Sequence, residues 1–429
     1  METFRLKIKD PKAFKRSALV WASHFPVFAY YDSNIFPNGD YGRYDLLLAV
    51  DALRELECEA GSALRSLKNF HEEEQSWLFG VLGYDLKNEI ERLESRHASM
   101  LSFPDLYFFQ PRYLFLLEGD ELTINRRPIE GMALMEAIQS IKSFPLPNHA
   151  IPLKPGLTKE DYLDRMNRIR QHILNGDFYE INFCQEFCAS GQIDPVATFL
   201  SLNEMGQAPF SACFKRRGKY VLSSSPKKKK KKDGNKLLSQ PIKGTAARDP
   251  NPEKDRQLME ALQKSEKERA ENVMIVDLVR NDLRRVAKTA TVKVRDLFGA
   301  YSFKQVHQLV STITAEMQND LHWTDAIRGT FPMGSMTGAP KVEVMKRTED
   351  LENFKRNWYS GAMGYVTPQG DFDFNVLIRS IFYDEEMKRI SVPVGGAITF
   401  DSDPEAEYRE CLLKADAMKK VLEGQVFFQ

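Results

Sequence analysis

The chain has 429 residues, of which 42% are hydrophobic and 28% are charged. This length and composition allow one or more large hydrophobic cores and exclude a disordered or fibrous protein. Basic and acidic residues number 60 each, so no net charge draws the chain to nucleic acid or to an anionic membrane. A globular protein that acts on a small molecule is the favoured class.

The cysteines and the first residues indicate the compartment. The five cysteines, an odd number, are scattered without a C-x-x-C pair, so neither a disulfide framework nor a zinc site is indicated. The opening residues, METFRLKIKD, lack the apolar segment of a secretion signal. We therefore expect a protein of the reducing cytoplasm.

The first part of the chain predicts mixed strands and helices. Residues 113–124, YLFLLEGDELTI, read as two strands joined at Gly119-Asp120. Residues 143–157, SFPLPNHAIPLKPGL, carry four prolines among short apolar residues, which is typical of a connector. We expect an N-terminal mixed α+β region at residues 1–145 and a second region at residues 155–429.

The second region begins with a helix and a strand. Thr158 is a suitable cap for a helix with apolar residues at helical spacing, and Gly176 would end it. Residues 177–187 then alternate apolar and polar side chains, as a strand with one buried face does. A further strand is expected from Lys219.

Six consecutive lysines, Lys227 to Lys232, follow that strand. Such a run repels itself and is usually solvated. A nucleic-acid patch is the alternative, but no aromatic residue interrupts the run to stack on bases. We expect a solvated loop, followed by a turn at Asp233-Gly234.

The stretch LLSQPIKGT, residues 237–245, places Lys243 between Pro241 and Gly244. Constrained backbone on both sides would hold the lysine at a fixed angle and turn the chain at the glycine. An ordinary exposed loop lysine is the alternative. Lys243 is nevertheless the first candidate for chemistry.

Two pairs of glutamates predict a cation site. Glu268 and Glu271 lie three residues apart on a predicted helix, as do Glu407 and Glu410, which share their stripe with Lys414. Carboxylates on one helix face suit Mg²⁺, which completes its shell with water and an anionic substrate group. A solvated helix face would show the same spacing.

Three further stretches have a composition that suits a binding site. Residues 331–341, FPMGSMTGAPK, suit backbone that passes close to a ligand or another segment. Residues 374–383, FNVLIRSIFY, read as one buried strand whose Arg379 needs a carboxylate from a ligand or from the protein. Gly395-Gly396 would offer backbone N–H groups to an anion, or form a plain bulge.

Taken together, the motifs resemble those of the chorismate-utilising enzymes. The matching stretches follow in order over about the last 270 residues: GDFYEINFCQEF, PIKGT, KERAENVMIVDLVRNDL, FPMGSMTGAPK, YSGAMGY, Ile378-Arg379 and DSDPEAEYRE. The resemblance implies an α+β fold like that of anthranilate synthase component I, with large antiparallel sheets packed in layers and helices outside. It also implies a chorismate site between the layers.

The resemblance assigns roles residue by residue. Glu271 and Glu410, supported by Glu268 and Glu407, would hold Mg²⁺. The substrate carboxylates would contact Tyr359, Arg379, Gly395, Gly396 and Lys414, while Gly244 and Thr245 would line the ring.

Lys243 distinguishes members within that family. Anthranilate and isochorismate synthases typically have alanine there, whereas aminodeoxychorismate synthases have lysine. The implied reaction is amination of chorismate at C4, with Lys243 attacking C2 as the C4 hydroxyl leaves. To attack as a free amine, Lys243 needs its pKa of about 10.4 lowered by about 3.

Two positions depart from the family pattern. Lys227 stands where relatives carry a glutamate that could protonate the leaving hydroxyl, and Gln308 stands where many carry a histidine, beside His307. No G-x-C-x-G glutaminase motif surrounds any cysteine, so a separate glutamine amidotransferase subunit would supply ammonia. Anthranilate synthase component I and a catalytically impaired chorismate-binding protein remain alternatives.

Overall fold

The computed structural model describes residues 3–34, 44–145, 150–226, 228–302 and 306–424, and all structural statements concern these ranges. The α helices are α1 (Pro11–Ser23), α2 (Ala63–Glu73), α3 (Lys87–Glu91), α4 (Pro128–Gln139), α5 (Lys159–Leu174), α6 (Pro195–Gly206), α7 (Pro252–Lys264), α8 (Glu266–Arg284), α9 (Trp323–Arg328), α10 (Lys341–Leu351) and α11 (Pro404–Leu422). The strands are β1 (Phe4–Lys7), β2 (Val27–Asp32), β3 (Leu46–Cys58), β4 (Leu78–Leu82), β5 (Leu106–Glu118), β6 (Glu121–Ile124), β7 (Lys154–Pro155), β8 (Glu180–Ser190), β9 (Phe210–Arg216), β10 (Lys219–Ser225), β11 (Lys228–Asp233), β12 (Lys236–Ser239), β13 (Ile242–Ala247), β14 (Lys293–Ser302), β15 (Val306–Glu316), β16 (Gly338–Ala339), β17 (Ala362–Val366), β18 (Phe372–Val376), β19 (Ser380–Asp384) and β20 (Arg389–Ile398).

The strands pair antiparallel and form two layers that share β5. One layer runs from β5 through β3, β2, β9, β10, β19 and β20 to β8. The other runs from β5 through β4, β17, β18, β11 and β12 to β15, which also pairs with β13 and β14. The predicted α+β class with layered antiparallel sheets is confirmed. Within the described ranges no helix has the length and apolar character needed to span a membrane.

Alternation along the strands builds three cores. In β2, Phe28 and Tyr30 face the core beneath α1, α5 and α11, whereas Val27 and Ala29 face the core between the layers. On the outer side of the other layer, a third core packs under α2, α8 and α9. The helices therefore lie outside and the two layers pack together inside.

The predicted start of the second region is confirmed with small shifts. Thr158 caps α5, its hydroxyl oxygen accepting a hydrogen bond from the backbone N–H of Asp161 at 3.1 Å. The helix ends just before Gly176, whose φ of +80° is left-handed. The strand predicted at residues 177–187 spans Glu180–Ser190 instead.

The connector at residues 143–157 joins two regions that share one sheet. β2 pairs with β9, and β4 pairs with β17, so strands from both sides of the connector alternate within the layers. The core between the layers also draws side chains from both regions. The division into regions 1–145 and 155–429 stays a prediction.

The lysine run is a strand, so the expected solvated loop is wrong. β11 pairs with β18 on one side and with β12 on the other, and Gly234 lies in the tight turn between β11 and β12. Lys230 is only 3% exposed, and Lys232 Nζ donates to Asp371 at 3.0 Å. Lys227 itself lies outside the described residues.

The single strand predicted at residues 374–383 is also wrong. β18 ends at Val376 and β19 begins at Ser380. Arg379, just before β19, has φ +49°, in the left-handed region that ordinary side chains rarely adopt. The break directs the arginine out of the strand pattern.

Candidate active site

Lys243 lies in β13, next to a bulge rather than a turn. β13 pairs with β15, and the register shifts between Lys243 and Thr245 so that Gly244 is the extra residue. Gly244 has φ +80°, and a Cβ there would lie 3.0 Å from Glu268 Oε2. Only glycine suits both the conformation and the space. The expected glycine turn is therefore corrected to a β-bulge, and Thr245 beyond it is exposed.

Two carboxylates face the amine of Lys243. Its Nζ lies 2.6 Å from Glu180 Oε1 and 3.7 Å from Glu271 Oε2, and its side chain is 10% exposed. Burial by itself would lower the pKa of Lys243, but the charges of Glu180 and Glu271 outweigh it and the pKa is raised. The lowered pKa that attack as a free amine requires is therefore not present in the chain alone.

The four predicted glutamates come from α8 and α11 and influence one another. Burial raises the pKa of Glu268 and Glu271, and neighbouring carboxylates add to both shifts. Burial, followed by the charge of Glu410, likewise raises the pKa of Glu407. Burial would raise the pKa of Glu410 too, but the Lys414 ammonium 2.7 Å away lowers it.

This acidic cluster suits Mg²⁺ by its chemistry, although its side chains are not drawn together. Like charges that raise each other's pKa would be relieved by a divalent cation. In the described part of the chain, however, no three Asp, Glu, His or Cys side chains are grouped closely enough to form a metal site by themselves. Glu271 pairs with Lys243, and Glu410 with Lys414. The magnesium site stays a prediction.

Lys414 connects α11 to the glycine pair. Its Nζ donates to the carbonyl oxygen of Gly395 at 2.9 Å. A Cβ on Gly396 would lie 3.3 Å from Glu407 Oε2, so this strand passes close to the acidic helix. Both glycines lie in β20 and pair with β8 without a shift in register. The bulge that was considered from sequence is therefore wrong.

Tyr359 is buried beside the same strands. It is 2% exposed, and the Cys184 thiol lies 3.8 Å from its hydroxyl oxygen. A Cβ on Gly395 would lie 2.4 Å from that same sulfur. The side chain of Cys184 therefore lies between Tyr359 and the glycine pair. Burial raises the pKa of Tyr359 far above its usual value, so its hydroxyl is a hydrogen-bond donor at neutral pH.

Arg379 has no carboxylate partner among the described residues. Only burial acts on its pKa, which is lowered. Its backbone carbonyl accepts a hydrogen bond from the backbone N–H of Ser224, and no acidic side chain of the described ranges pairs with its guanidinium. No described side chain supplies the internal salt bridge considered from sequence, and an anionic ligand stays the other candidate partner.

A buried ion pair that sequence reasoning missed fixes the backbone behind these residues. Arg356 Nε donates to Glu352 Oε2 at 2.8 Å, and its other nitrogens donate to the carbonyls of Asn182 and Met336, each at 2.8 Å. Glu352 in turn accepts from the backbone N–H of Cys184 at 2.9 Å. One guanidinium thus joins β8 to residues 331–341. The four-residue spacing of Glu352 and Arg356 at the end of a helix was the sequence signal that could have indicated this ion pair.

The segment of residues 331–341 lies against another segment, as one reading of its composition predicted. β16 pairs with β8, and a Cβ on Gly338 would lie 2.1 Å from the carbonyl oxygen of Glu180. Lys341 is buried and bonds both oxygens of Asp282 at 2.7 Å. The glycine therefore permits close packing behind Glu180.

Neither residue near the missing family histidine is a free acid. His307 uses both ring nitrogens, one at 2.8 Å from Ser302 Oγ and the other at 2.9 Å from Asp255 Oδ1. The amide oxygen of Gln308 is buried and has no hydrogen-bond partner among the described residues. His307 therefore ties β15 to α7.

These layers and this site define the class of the protein. Two antiparallel layers with outer helices are the arrangement that the sequence motifs implied for a chorismate-utilising enzyme, and Lys243 lies between Glu180 of β8 and Glu271 of α8. The family model of the chorismate binding enzymes matches residues 41–420. The chain belongs to this family.

Several similar proteins within the family are named aminodeoxychorismate synthases. Aminodeoxychorismate synthase component 1 of Escherichia coli K12 is 35% identical over 352 residues, covering 81% of this chain and 77% of that protein. The protein of the same name from Salmonella typhimurium LT2 is 35% identical, covering 82% and 77%. The chloroplastic aminodeoxychorismate synthase of Arabidopsis thaliana is 35% identical, covering 79% of this chain and 39% of that longer protein.

Solved structures agree with the fold. Anthranilate synthase component I of Streptococcus pneumoniae TIGR4 superimposes with a TM-score of 0.76 at 24% identity, covering 90% of this chain and 94% of that one. The menaquinone-specific isochorismate synthase of E. coli gives 0.76 at 18% identity, covering 98% and 94%. The expected likeness to the anthranilate synthase fold is confirmed.

Proposed function

We propose that this chain catalyses the reaction of an aminodeoxychorismate synthase, the amination of chorismate at C4 by ammonia. The product would be 4-amino-4-deoxychorismate, on the route to 4-aminobenzoate and folate. The observation that carries the proposal is Lys243 in PIKGT, whose side chain is 10% exposed and whose Nζ lies 2.6 Å from Glu180 Oε1. The proposal is supported by relatives that are named aminodeoxychorismate synthase component 1 and that align with about four fifths of the chain.

Lys243 is the proposed nucleophile. Its amine would add to C2 of the ring while the C4 hydroxyl leaves, and ammonia would then add at C4 and displace the lysine from C2. Covalent catalysis of this kind divides one difficult substitution into two easier ones. The bulge at Gly244 supports the role, because it holds the lysine on strand backbone.

The carboxylates of chorismate would be held by residues on several elements. Arg379, whose guanidinium has no acidic partner in the described residues, is the proposed partner of one carboxylate. Lys414, Tyr359 and the backbone of Gly395 and Gly396 would contact the substrate nearby, while Gly244 and Thr245 would line the ring.

Glu271 and Glu410 are proposed to hold Mg²⁺, with Glu268 and Glu407 in support. The ion would supply a positive charge for a substrate carboxylate and orient it. The raised pKa values of Glu268, Glu271 and Glu407 support a cation at this place, because they reflect burial and mutual repulsion.

A separate glutamine amidotransferase subunit is the proposed source of ammonia. The chain carries no G-x-C-x-G motif around its cysteines, and two relatives are named as component 1 of their enzyme. A location in the cytoplasm is part of this proposal.

One experiment tests the function and its alternatives. The chain is incubated with chorismate, Mg²⁺ and ammonium, and the product is identified by mass spectrometry. We expect 4-amino-4-deoxychorismate. Anthranilate would identify the reaction of anthranilate synthase component I instead, and chorismate binding without any product would identify an impaired binding protein.

A further inference from the structure

Glu180 is the closer of the two carboxylates that face Lys243. Its Oε1 lies 2.6 Å from Lys243 Nζ, whereas Glu271 Oε2 lies at 3.7 Å. The side chain of Glu180 is 2% exposed. A hydrogen bond of this length, shielded from water, is short enough for direct proton transfer.

The other oxygen of Glu180 has no hydrogen-bond partner in the part of the chain that the structure describes. Oε2 is buried and accepts no hydrogen bond from the described residues. A buried carboxylate oxygen without a donor costs free energy, so this oxygen favours a ligand that can donate a hydrogen bond to it. A substrate hydroxyl would supply the missing donor.

The backbone of Glu180 is fixed against residues 331–341. Its partner in β16 is Ala339, and the close approach of Gly338 to its carbonyl leaves no space for a side chain. Two residues further along β8, Arg356 bonds the carbonyl of Asn182 at 2.8 Å. The carboxylate therefore starts from a well-defined position.

We propose that Glu180 is the acid–base group of the reaction, which accepts the proton that Lys243 must lose and gives it to the hydroxyl that leaves C4. This role rests on the proposed function. It would also supply an acid that this sequence otherwise lacks. Lys227 stands at the position where the relatives that the chain resembles carry a glutamate.

The step balances in atoms and charge. The Lys243 ammonium gives one proton to Glu180 and becomes an amine. Its electron pair forms the bond to C2, the two ring double bonds shift, and the bond from C4 to oxygen breaks. The leaving hydroxide takes the proton from Glu180 and departs as water, which restores the carboxylate and leaves the positive charge on the substituted lysine nitrogen.

The displacement by ammonia then regenerates the enzyme. Ammonia bonds to C4 and takes a positive charge, the double bonds return, and the bond from C2 to Lys243 breaks with its electrons on the lysine nitrogen. Lys243 leaves as a neutral amine. Solvent returns one proton to it, and Glu180 again faces an ammonium.

The first test is Glu180→Gln, which keeps the size of the side chain but cannot take a proton. We expect kcat for amination with ammonium to fall by about 10² to 10⁴-fold, with KM for chorismate within about threefold of wild type. The matched control is Glu186→Gln on the same strand. Glu186 is buried but bonds Ser391 and Cys188, so kcat should stay near that of wild type.

A second variant separates chemistry from structure. Glu180→Ala leaves space for a small acid. The kcat of this variant should be at least about tenfold higher in sodium formate than in sodium chloride at equal ionic strength. A purely structural carboxylate would not give this rescue. If Glu180→Gln unfolds, which a thermal melt would reveal, the formate comparison decides.

Failure of the role of Glu180 can be told apart from failure of the proposed function. A wild-type chain that makes no aminated product overturns that function, and the role of Glu180 with it, before any variant is needed. An active wild type whose Glu180→Gln variant keeps its kcat overturns the role of Glu180 alone. So does formate that acts no better than chloride.

Discussion

Lys243 keeps its proton in the resting chain because Glu180 and Glu271 both face it. A nucleophilic lysine is often prepared by burial, which lowers its pKa, but here the neighbouring carboxylates have the larger effect. If Lys243 is the nucleophile, as proposed, its activation would require proton transfer to a neighbour after the substrate has bound. A high local pKa does not exclude such a role.

Lys243→Ala should remove the covalent route and leave a slow direct addition of ammonia. Loss of a nucleophile leaves substrate binding intact, so we expect kcat to fall by at least about 10²-fold with a smaller change in KM. Product formation from chorismate and ammonium measures this. Lys236→Ala, an exposed lysine on β12, is the control. An unchanged rate in Lys243→Ala would remove this lysine from the mechanism.

Lys230 is a buried lysine whose amine has no hydrogen-bond partner in the described residues. Burial lowers its pKa to about 7, although the charge of Asp282 opposes the shift. In the unfolded chain its pKa is near the ordinary value of about 10.4, so between about pH 7 and 10.4 the unfolded state binds more protons. Lys230 therefore destabilises the fold most below about pH 7, and stability rises with pH through this window.

Lys230→Met should stabilise the protein, because the methionine side chain carries no charge into the core. The gain in the free energy of unfolding should approach about 5 kcal/mol near pH 6 and shrink toward zero as the pH nears 10. Urea denaturation at several pH values measures it. Lys231→Met, at a neighbour whose side chain is 26% exposed, should change little. An equal gain from both variants at every pH would contradict this account of Lys230.

At the scale of elements, α8 and α11 each bring two glutamates to the site, and an excess of negative charge results where these helices meet β13 and β20. Lys243 and Lys414 offset part of it through ion pairs with Glu271 and Glu410. Binding of a cation and the substrate would replace these lysine contacts and free the amines for other partners.

Removal of Mg²⁺ with EDTA should abolish turnover, and Glu271→Gln or Glu410→Gln should do likewise with the fold intact. Each substitution takes away a charged oxygen ligand, which costs metal affinity. Activity assays over a Mg²⁺ titration, with thermal melts as a check on folding, measure the effect. Glu266→Gln, an exposed residue of α8, should behave as wild type. Full activity in metal-free buffer would refute the site.

Secondary structure was predicted correctly where the spacing of apolar residues and the capping residues indicated the same element. The prediction failed where pairing with distant strands determined the structure. α5 followed from its Thr158 cap and apolar spacing. The lysine run did not read as a strand, because its charge suggested solvation, yet β18 and β12 pair with it. The turn at Asp233-Gly234, followed by apolar residues, was the hairpin signal that composition obscured.

The site was predicted largely through family motifs, and its geometry was not. Motifs named Lys243, Arg379 and the glutamates. The bond from Lys243 to Glu180 joins residues 63 positions apart, and no local pattern encodes such a contact. The pKa of Lys243 could not be predicted for the same reason, because its neighbours come from β8 and α8.

For the whole molecule, the shared sheet bears on the predicted division at residues 145–155. We expect residues 155–429 expressed alone to lack a cooperative unfolding transition, because β17 would lose β4 and β9 would lose β2. The core between the layers would also open. Chemical denaturation followed by tryptophan fluorescence measures this, with the full chain as control. A sharp transition in the fragment would show that the second region folds independently.

The pairing of β4 with β17 also has a consequence for protein synthesis. Leu82 lies opposite Ala362 in the finished sheet, so a ribosome that has made β4 must add most of the chain before its neighbour exists. Contacts between distant residues slow folding, and an unpaired strand edge invites pairing with other chains. The nascent chain should therefore depend on chaperones until β17 emerges, and its yield in a cell should be set by how long that edge stays open.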